Sequence, residues 1–485
     1  VAITDTRPAP TVDRATRRIP VWLAIVAASV PMFMATLDNL VVTSALPVLG
    51  RELDASIEQL QWFVNAYTLS FAAFMLLAVA LGDRYGRRTV FLAGVGVFTA
   101  ASALCAVALD PGMLIAARAV QGVGAAALMP LSLTLLVGSV SARFRPLAIG
   151  IWGGVAGLGV ATGPLIGGAV IQGFSWEAIF WLNVPIGILT VPLVLLALPN
   201  SFGARLRADV VGVLLAGLGV LGVVYGIVRA NDSGWSSAEV VGALAAGAVL
   251  LVVFVLWERR VPNPLLPLRL FRDRSFTVAN IVGLTFSFGI FGSVFILIQY
   301  LQIVGGATPL EAGVMTMPWT LAPMVIAPLA GIIAPRVGTR LLIVTGLELQ
   351  AVGVAWLAAV MSTTLDYGAL VPAFVFAGVG MGLVFAPSST AVLANMTADD
   401  NAKASGTNST LREIGVALGI AVLTAVFTGA GGSFTPDGYV DAAIPAIAVG
   451  AAALALAAVA ALFLPAGRDR PAVPAALAPL ASTST

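Results

Sequence analysis

The chain has 485 residues, 59% of them hydrophobic and only 10% charged, with 25 basic against 23 acidic side chains and a mean hydropathy of +1.01. Soluble globular proteins carry about a quarter charged residues, so this composition excludes a soluble domain and points to a polytopic membrane protein. With no histidine and one cysteine, Cys105, it also excludes a disulfide framework and a metal-ligand cluster, and it leaves carboxylates as the groups able to handle protons near neutral pH.

The apolar runs are long and continuous, not short and alternating, so they read as helices and not as barrel strands. Residues 1–20 form a polar tail carrying Arg7, Arg14, Arg17 and Arg18. The run after it reaches Pro47, well past the roughly 7–15 residues of a signal-peptide core, and the first span is expected to be retained as an anchor. Six spans are predicted near 21–47, 60–81, 90–109, 113–138, 147–173 and 178–199. Two more follow near 209–228 and 238–257, and six further near 276–303, 309–334, 340–361, 368–394, 404–429 and 441–464.

An internal echo divides this series. VALGDRYGRR (79–88) follows span two and GIIAPRVGTR (331–340) follows span ten, with Arg, Gly and Arg at matching offsets. Two homologous six-helix halves explain the echo, a repeat typical of secondary transporters. The expected organisation is a tail (1–20), a six-helix half (21–199), an inserted helix pair (200–257), a linker (258–275), a second half (276–464) and a second tail (465–485). An even number of spans puts both termini on one side. If that side is the cytoplasm, 22 of the 25 basic residues lie there, counting Arg412 at the mouth of span thirteen; only Arg51 and Arg229 lie outside, and Arg118 is intramembrane. This bias predicts cytoplasmic termini in a cytoplasmic membrane.

Charges inside spans are costly and need a partner or a purpose. Asp38 lies about nine residues, or about 13 Å, below Pro47, and Arg118 lies about 9 Å below the same face on a helix running the other way. They are at similar depth, and an ion pair between them is expected. Glu413 lies about 14 Å in from the opposite end of span thirteen, and its neighbour Arg412 points to a different side of the helix. Glu348, in span eleven, is the remaining deep acid.

Five stretches carry a resemblance: LDNLVVTSALP (37–47), GDRYGRR (82–88), RAVQGVG (118–124), GLGVATGPLIGG (157–168) and WEAIFWLNVPIG (176–187). In this order, over roughly residues 20–465, they resemble the 14-span drug:proton antiporters of the major facilitator superfamily. The resemblance implies an all-α major facilitator fold of 14 transmembrane helices, two six-helix halves plus two inserted helices. It implies a proton-coupled exporter of lipophilic drugs or antibiotics, cations among the candidates, working by alternating access. A narrow-substrate exporter and a non-transporting membrane sensor are the alternatives. No nucleophile–base constellation or phosphate loop is present, so no enzyme is expected. No cofactor, metal or nucleic acid is expected either; the expected partners are lipophilic small molecules, protons and membrane lipids, with the chain a monomer.

The resemblance also assigns residues. Asp83, with Arg84, Gly86 and Arg88, belongs to the family's gating loop, where the Asp docks on the N-terminus of a helix in the opposite half, here span thirteen; a solvated turn is the plainer alternative. Val79 stands where the family's usual leading Gly does. Gly159, Gly163 and Gly167 recur every fourth residue and share a face for close helix approach, with Pro164 removing a backbone donor. In the family this segment marks exporters through a bendable contact between halves; ordinary small-residue packing is the alternative. Asp38 and Arg118 belong to the family's cavity-facing set. A carboxyl beside a guanidinium stays ionised, whereas one buried alone favours its protonated form. Glu413 is therefore expected to carry the coupling proton, and Asp38 to hold Arg118 until a cation competes. The expected cavity walls add Gln121, Met32, Phe33, Met34, Trp62, Tyr67, Phe288, Phe291 and Trp319, flexible or aromatic side chains suited to varied ligands.

Overall fold

A computed structural model describes residues 20–203, 209–262, 264–396 and 400–465. Both expected tails lie almost wholly outside the described residues. The first set of helices is α1 (Val21–Glu52), α2 (Ile57–Tyr85), α3 (Arg87–Ala106), α4 (Pro111–Ser139), α5 (Arg145–Gly173), α6 (Ala178–Trp181) and α7 (Asn183–Ala197). Then come α8 (Val210–Ser233) and α9 (Ala238–Glu258). The last set is α10 (Arg274–Ile303), α11 (Pro309–Met315), α12 (Met317–Val337), α13 (Thr339–Val360), α14 (Tyr367–Leu393), α15 (Asn401–Gly429) and α16 (Pro436–Ala461). Thirteen stretches among the described residues are long and apolar enough to cross a membrane, and α5, 29 residues long, stands between the fourth and fifth of them. The face of the bundle where α1 begins is called here the near face, and the opposite one the far face.

Local chemistry sets the helix ends. Ser56 with Gln59 and Thr308 with Glu311 form capping boxes at α2 and α11. Asp110, Asp209, Ser237, Asp273 and Asp366 each accept from a backbone N–H in the first turn of the helix they precede. The sequence echo has a backbone counterpart. Gly86 (φ 105°, ψ 121°) and Gly338 (φ 94°, ψ 137°) make the same sharp turn, α2 into α3 and α12 into α13, in a region that disfavours side chains. Spans six and ten are each broken, into α6 and α7 and into α11 and α12. Pro185 and Pro318 follow the breaks within three residues and have no N–H to continue the ladder.

The two sets pack with the same internal pattern. In the first, α4 packs on α2 and α3, α1 on α5 and α7, and α3 on α7; in the second, α14 packs on α12 and α13, α10 on α15 and α16, and α13 on α16. α8 and α9 form an antiparallel pair in which Gly219, Gly222 and Gly226 lie against Leu251, Gly247 and Leu244. α8 also packs on α2 and α15 at once, with Val224 and Val228 joining Leu69, Ala417 and Ala421 in one apolar cluster. The inserted pair therefore covers the seam where the two sets meet.

Across the sets, α2 runs along α15, and α5 meets α11 near the far face. There two glycines interlock. A Cβ on Gly168 would lie 2.3 Å from the Pro309 carbonyl oxygen, and one on Gly313 would lie 2.5 Å from that of Pro164. Gln302 Nε2 donates to the Ser44 carbonyl (2.9 Å) beside them. Toward the near face α4 makes no comparable packing on α14, and Gly153 and Gly154 of α5 have open space around them. The sets are closed at the far face.

The expected glycine face is corrected by this packing. Gly159 lies against Phe33 and Thr36, Gly163 against Leu40 and Gly167 against Val41, all on α1 of the same set. Four-residue spacing does bring two helices close, but the contact between sets belongs to Gly168, one position on. Gly168→Leu cannot be seated without parting α5 from α11. It should raise, several-fold, the rate at which an impermeant maleimide added at the far face labels a cysteine placed at Leu40; an unchanged rate would mean that the seal lies elsewhere.

Candidate functional site

Asp38 and Arg118 do pair, in a fully buried setting. Arg118 Nη1 donates to Asp38 Oδ2, with the two side chains 0% and 1% exposed. The motif RAVQGVG explains how they meet. Arg118 and Gln121, three apart on α4, face α1 together, while Gly122 lies against the Tyr67 carbonyl of α2 and Gly124 against the Phe98 backbone of α3. Side chains at either glycine would hold α4 away.

The pair sits in a network. Gln121 Nε2 (2.9 Å) and Asn183 Nδ2 (2.7 Å) both donate to Asp38 Oδ1. Arg118 Nε donates to the Phe63 carbonyl (2.9 Å), Arg118 Nη1 to Gln121 Oε1 (2.6 Å) and Gln121 Nε2 to Ser102 Oγ (2.8 Å). The guanidinium lies 4.3 Å from the Tyr67 ring centroid, and the Tyr67 hydroxyl donates to the Ala35 carbonyl (3.1 Å). Cys105 borders the network, its Sγ 3.7 Å from Gln121 Oε1. Five helices (α1, α2, α3, α4 and α7) thus converge on one carboxylate that already accepts three side-chain donors. The sequence reading missed Asn183 and Ser102. A polar residue in an otherwise apolar span was the available signal for Asn183.

This burial removes Asp38, Arg118, Gln121 and Tyr67 from the expected cavity wall. Met32 and Met34 are likewise fully buried. Trp62 packs on the inserted helix, its ring 6.3 Å from that of Tyr225. Phe33 is half-buried beside Gly159, and Phe288 is half-buried where its backbone meets Gly419. Phe291 and Trp319 do line a narrow cleft, of about 40 Å³, between the two sets, together with Leu40, Pro164, Thr320 and Met381. Its wall is almost wholly apolar.

α15 carries two further intramembrane charges, Arg412 and Glu413. Arg412 lies eleven residues past Asn401, about 16 Å into the helix, not at its mouth. Arg412 and Glu413 are both half-buried, and no hydrogen bond or ion pair reaches either among the described residues. They point to different neighbours, Arg412 to Phe385 and Phe286 of α14 and α10, Glu413 into electrostatic reach of Tyr67 on α2. Glu348 is exposed on the outside of α13, which packs on α14 and α16 and not on the inserted pair.

The gating loop stays within its own set in this conformation. Asp83 pairs with Arg87 (2.8 Å) and accepts from Gly203 N–H at its carbonyl (3.1 Å), and among the described residues no hydrogen bond or ion pair joins its carboxylate to α15. Arg88 N–H donates to Asn200 Oδ1 (3.0 Å), Arg88 Nη1 to the Leu198 carbonyl (3.2 Å), and Arg87 N–H to the Ser201 carbonyl (2.8 Å). Gly86 packs on Asn200, and Arg84 lies over the exposed Tyr85 ring. The loop ties α2 and α3 to the segment leaving α7.

Comparison with known proteins gives a concordant picture. The sequence description of the Major Facilitator Superfamily matches residues 28–420. Multidrug resistance protein Stp of Mycobacterium tuberculosis is 35% identical over 425 residues, covering 87% of this chain and 79% of that protein. The methylenomycin A resistance protein of Streptomyces coelicolor is 35% identical over 443 residues, covering 90% and 91%. A crystal structure of a mutant of the nucleoside transporter NupG superposes with a TM-score of 0.64 at 11% identity, over 91% of this chain and 99% of that one, a likeness of fold.

Removing one member of a buried ion pair leaves the other uncompensated, at a cost of about 3–5 kcal/mol. Arg118→Leu should therefore lower thermal stability in detergent far more than Glu413→Gln does. Equal melting temperatures for the two variants would mean that the Asp38 network is not what holds these helices.

Proposed function

Because the chain belongs to the Major Facilitator Superfamily, we propose that it is a proton-coupled antiporter that exports lipophilic, antibiotic-like small molecules across the cytoplasmic membrane by alternating access. The near face is the cytoplasmic one, in keeping with its excess of basic residues. Residues 21–199 and 276–464 are the two moving halves, with 200–257 inserted, 258–275 linking and the tails 1–20 and 465–485 flanking them; the chain acts as a monomer. The apolar cleft between the halves, with Phe291, Trp319 and Met381 in its wall, takes the apolar body of the substrate. The names of the relatives, multidrug resistance and methylenomycin A resistance, support export of drugs.

One observation carries the assignment of the proton. Glu413 is a half-buried carboxyl with no hydrogen-bond or ion-pair partner among the described residues, on the helix that runs along the seam between halves. Asp38 is saturated by three donors deep inside one half. A carboxyl whose surroundings change as the halves rock can take a proton on one side and release it on the other. Asp38 acts as a positioning residue that fixes α1 against α4 and α7. The gate of this reading is the α5–α11 contact at the far face, with Pro164 letting α5 bend and Asp83 engaging the opposite half only in the alternate state.

Glu413→Gln should abolish accumulation of a lipophilic dye in proteoliposomes under an imposed pH gradient while leaving dye binding without a gradient intact. Gradient-driven transport that survives this substitution would remove Glu413 from the mechanism.

A further inference from the structure

Arg412 is a cation in the middle of a membrane helix with no acceptor within hydrogen-bond reach among the described residues. Its guanidinium lies 4.5 Å from the Phe385 ring centroid and 5.9 Å from that of Phe286, and those rings meet edge to face at 5.5 Å. Aromatic faces steady a guanidinium plane but accept none of its five N–H donors, which lie in the plane and point outward. The surroundings are shaped to admit the side chain. Gly283 of α10 leaves the space in which Arg412 Cγ passes, where a Cβ would lie 3.3 Å away, and Asn408, one turn before Arg412, donates to Asn280 Oδ1 (3.2 Å) on the same side.

The position relative to the cleft is the second observation. Ile290 and Met381 line the cleft, and Phe286 and Phe385 stand four residues from them on α10 and α14, each one turn toward the near face. Residues four apart share a helix face about 6 Å along the axis. Arg412 therefore sits one turn to the near-face side of the apolar cleft, and no cation is among the described residues that line it. We propose that Arg412, steadied by Phe385 and Phe286 and flanked by Asn408, binds an organic anion, a carboxylate or phosphate, whose aromatic or apolar body occupies the cleft. The planar fork offers two parallel donors to such a group, and the ligand supplies the hydrogen-bond acceptors that the fold withholds, the adjacent Glu413 acting on Arg412 only through its field. This rests on the exporter reading and narrows it: among lipophilic substrates, whose charge the sequence leaves open, the favoured one is an amphipathic acid.

The test uses the full chain in phosphatidylcholine nanodiscs without any gradient, so that binding is read apart from proton coupling. The probes are pyrenebutyrate, pyrenebutanol and pyrenebutylammonium, which share one apolar body. The wild type should bind pyrenebutyrate at least about tenfold more tightly than the alcohol. Arg412→Gln should bring the acid to within about twofold of the alcohol without weakening the alcohol, and Arg412→Lys, which keeps the charge but not the fork, should fall between. An acid preference that survives Arg412→Gln, or a wild type that prefers the ammonium probe, would overturn the site. Discs containing phosphatidylglycerol separate the two sources of the anion. Undiminished pyrenebutyrate binding there assigns the site to a solute, and Arg412-dependent competition assigns it to a lipid headgroup. If acid binding depends on Arg412 while pH-driven transport is absent, the subsite stands and the antiport reading fails.

Discussion

Asp38 can lie deep in an apolar bundle because its carboxylate meets three side-chain donors, and the position of five helices follows from that requirement. Arg118 and Gln121 come from α4 and Asn183 from α7, while Ser102 of α3 and the Phe63 carbonyl of α2 hold the donors in turn. An unmet charge at this depth is expensive, so every one of these helices has to be in register for the carboxylate to be tolerated. The small residues of α4 allow that register, since Gly122 and Gly124 seat it against the backbones of α2 and α3. Apolar packing alone, which is similar in protein and in lipid, specifies far less.

The charges on α15 follow the opposite logic. Arg412 and Glu413 occupy comparable depth, yet the fold supplies neither with a hydrogen-bond or ion-pair partner among the described residues. They lie where the two sets face one another, on a helix that packs on α2 of one set and α10 of the other. On the proposed alternating-access reading, a rocking motion alters what surrounds them, whereas the Asp38 network travels with its own half. On that reading the paired carboxylate builds the structure, and the unpaired charges are left for the ligand and the proton.

Much of this architecture is legible in the sequence, and the limits have physical causes. Helix rise alone places Asp38 and Arg118 at one depth, and the shared Gly86 and Gly338 of the two loops prove to make the same backbone turn. What could not be read is which way a uniformly apolar helix faces. Met34 and Trp62 suit a ligand cavity by chemistry, but one is buried within its own set and the other packs on Tyr225 of the inserted pair. Periodicity gives no orientation when every side of a helix is apolar. Likewise the spacing of Gly159, Gly163 and Gly167 announces a close helix neighbour without saying that it is α1. Asn183 escaped notice because its partner is 145 residues away along the chain.

The inserted pair takes its place from the same seam. α8 bridges α2 and α15 through Leu69, Val224, Val228, Ala417 and Ala421, and at the far face Arg229 ties it to Glu58 of α2 (3.1 Å) and Glu239 of α9 (3.0 Å). It thereby closes the membrane side of the region in which Glu413 lies. The division between a saturated and an exchangeable carboxyl is most directly tested by infrared difference spectroscopy of the reconstituted protein across a pH titration. A protonated-carboxyl band that follows pH should be present in the wild type and in Asp38→Asn and missing from Glu413→Gln; a band lost from Asp38→Asn but unchanged in Glu413→Gln would contradict the account.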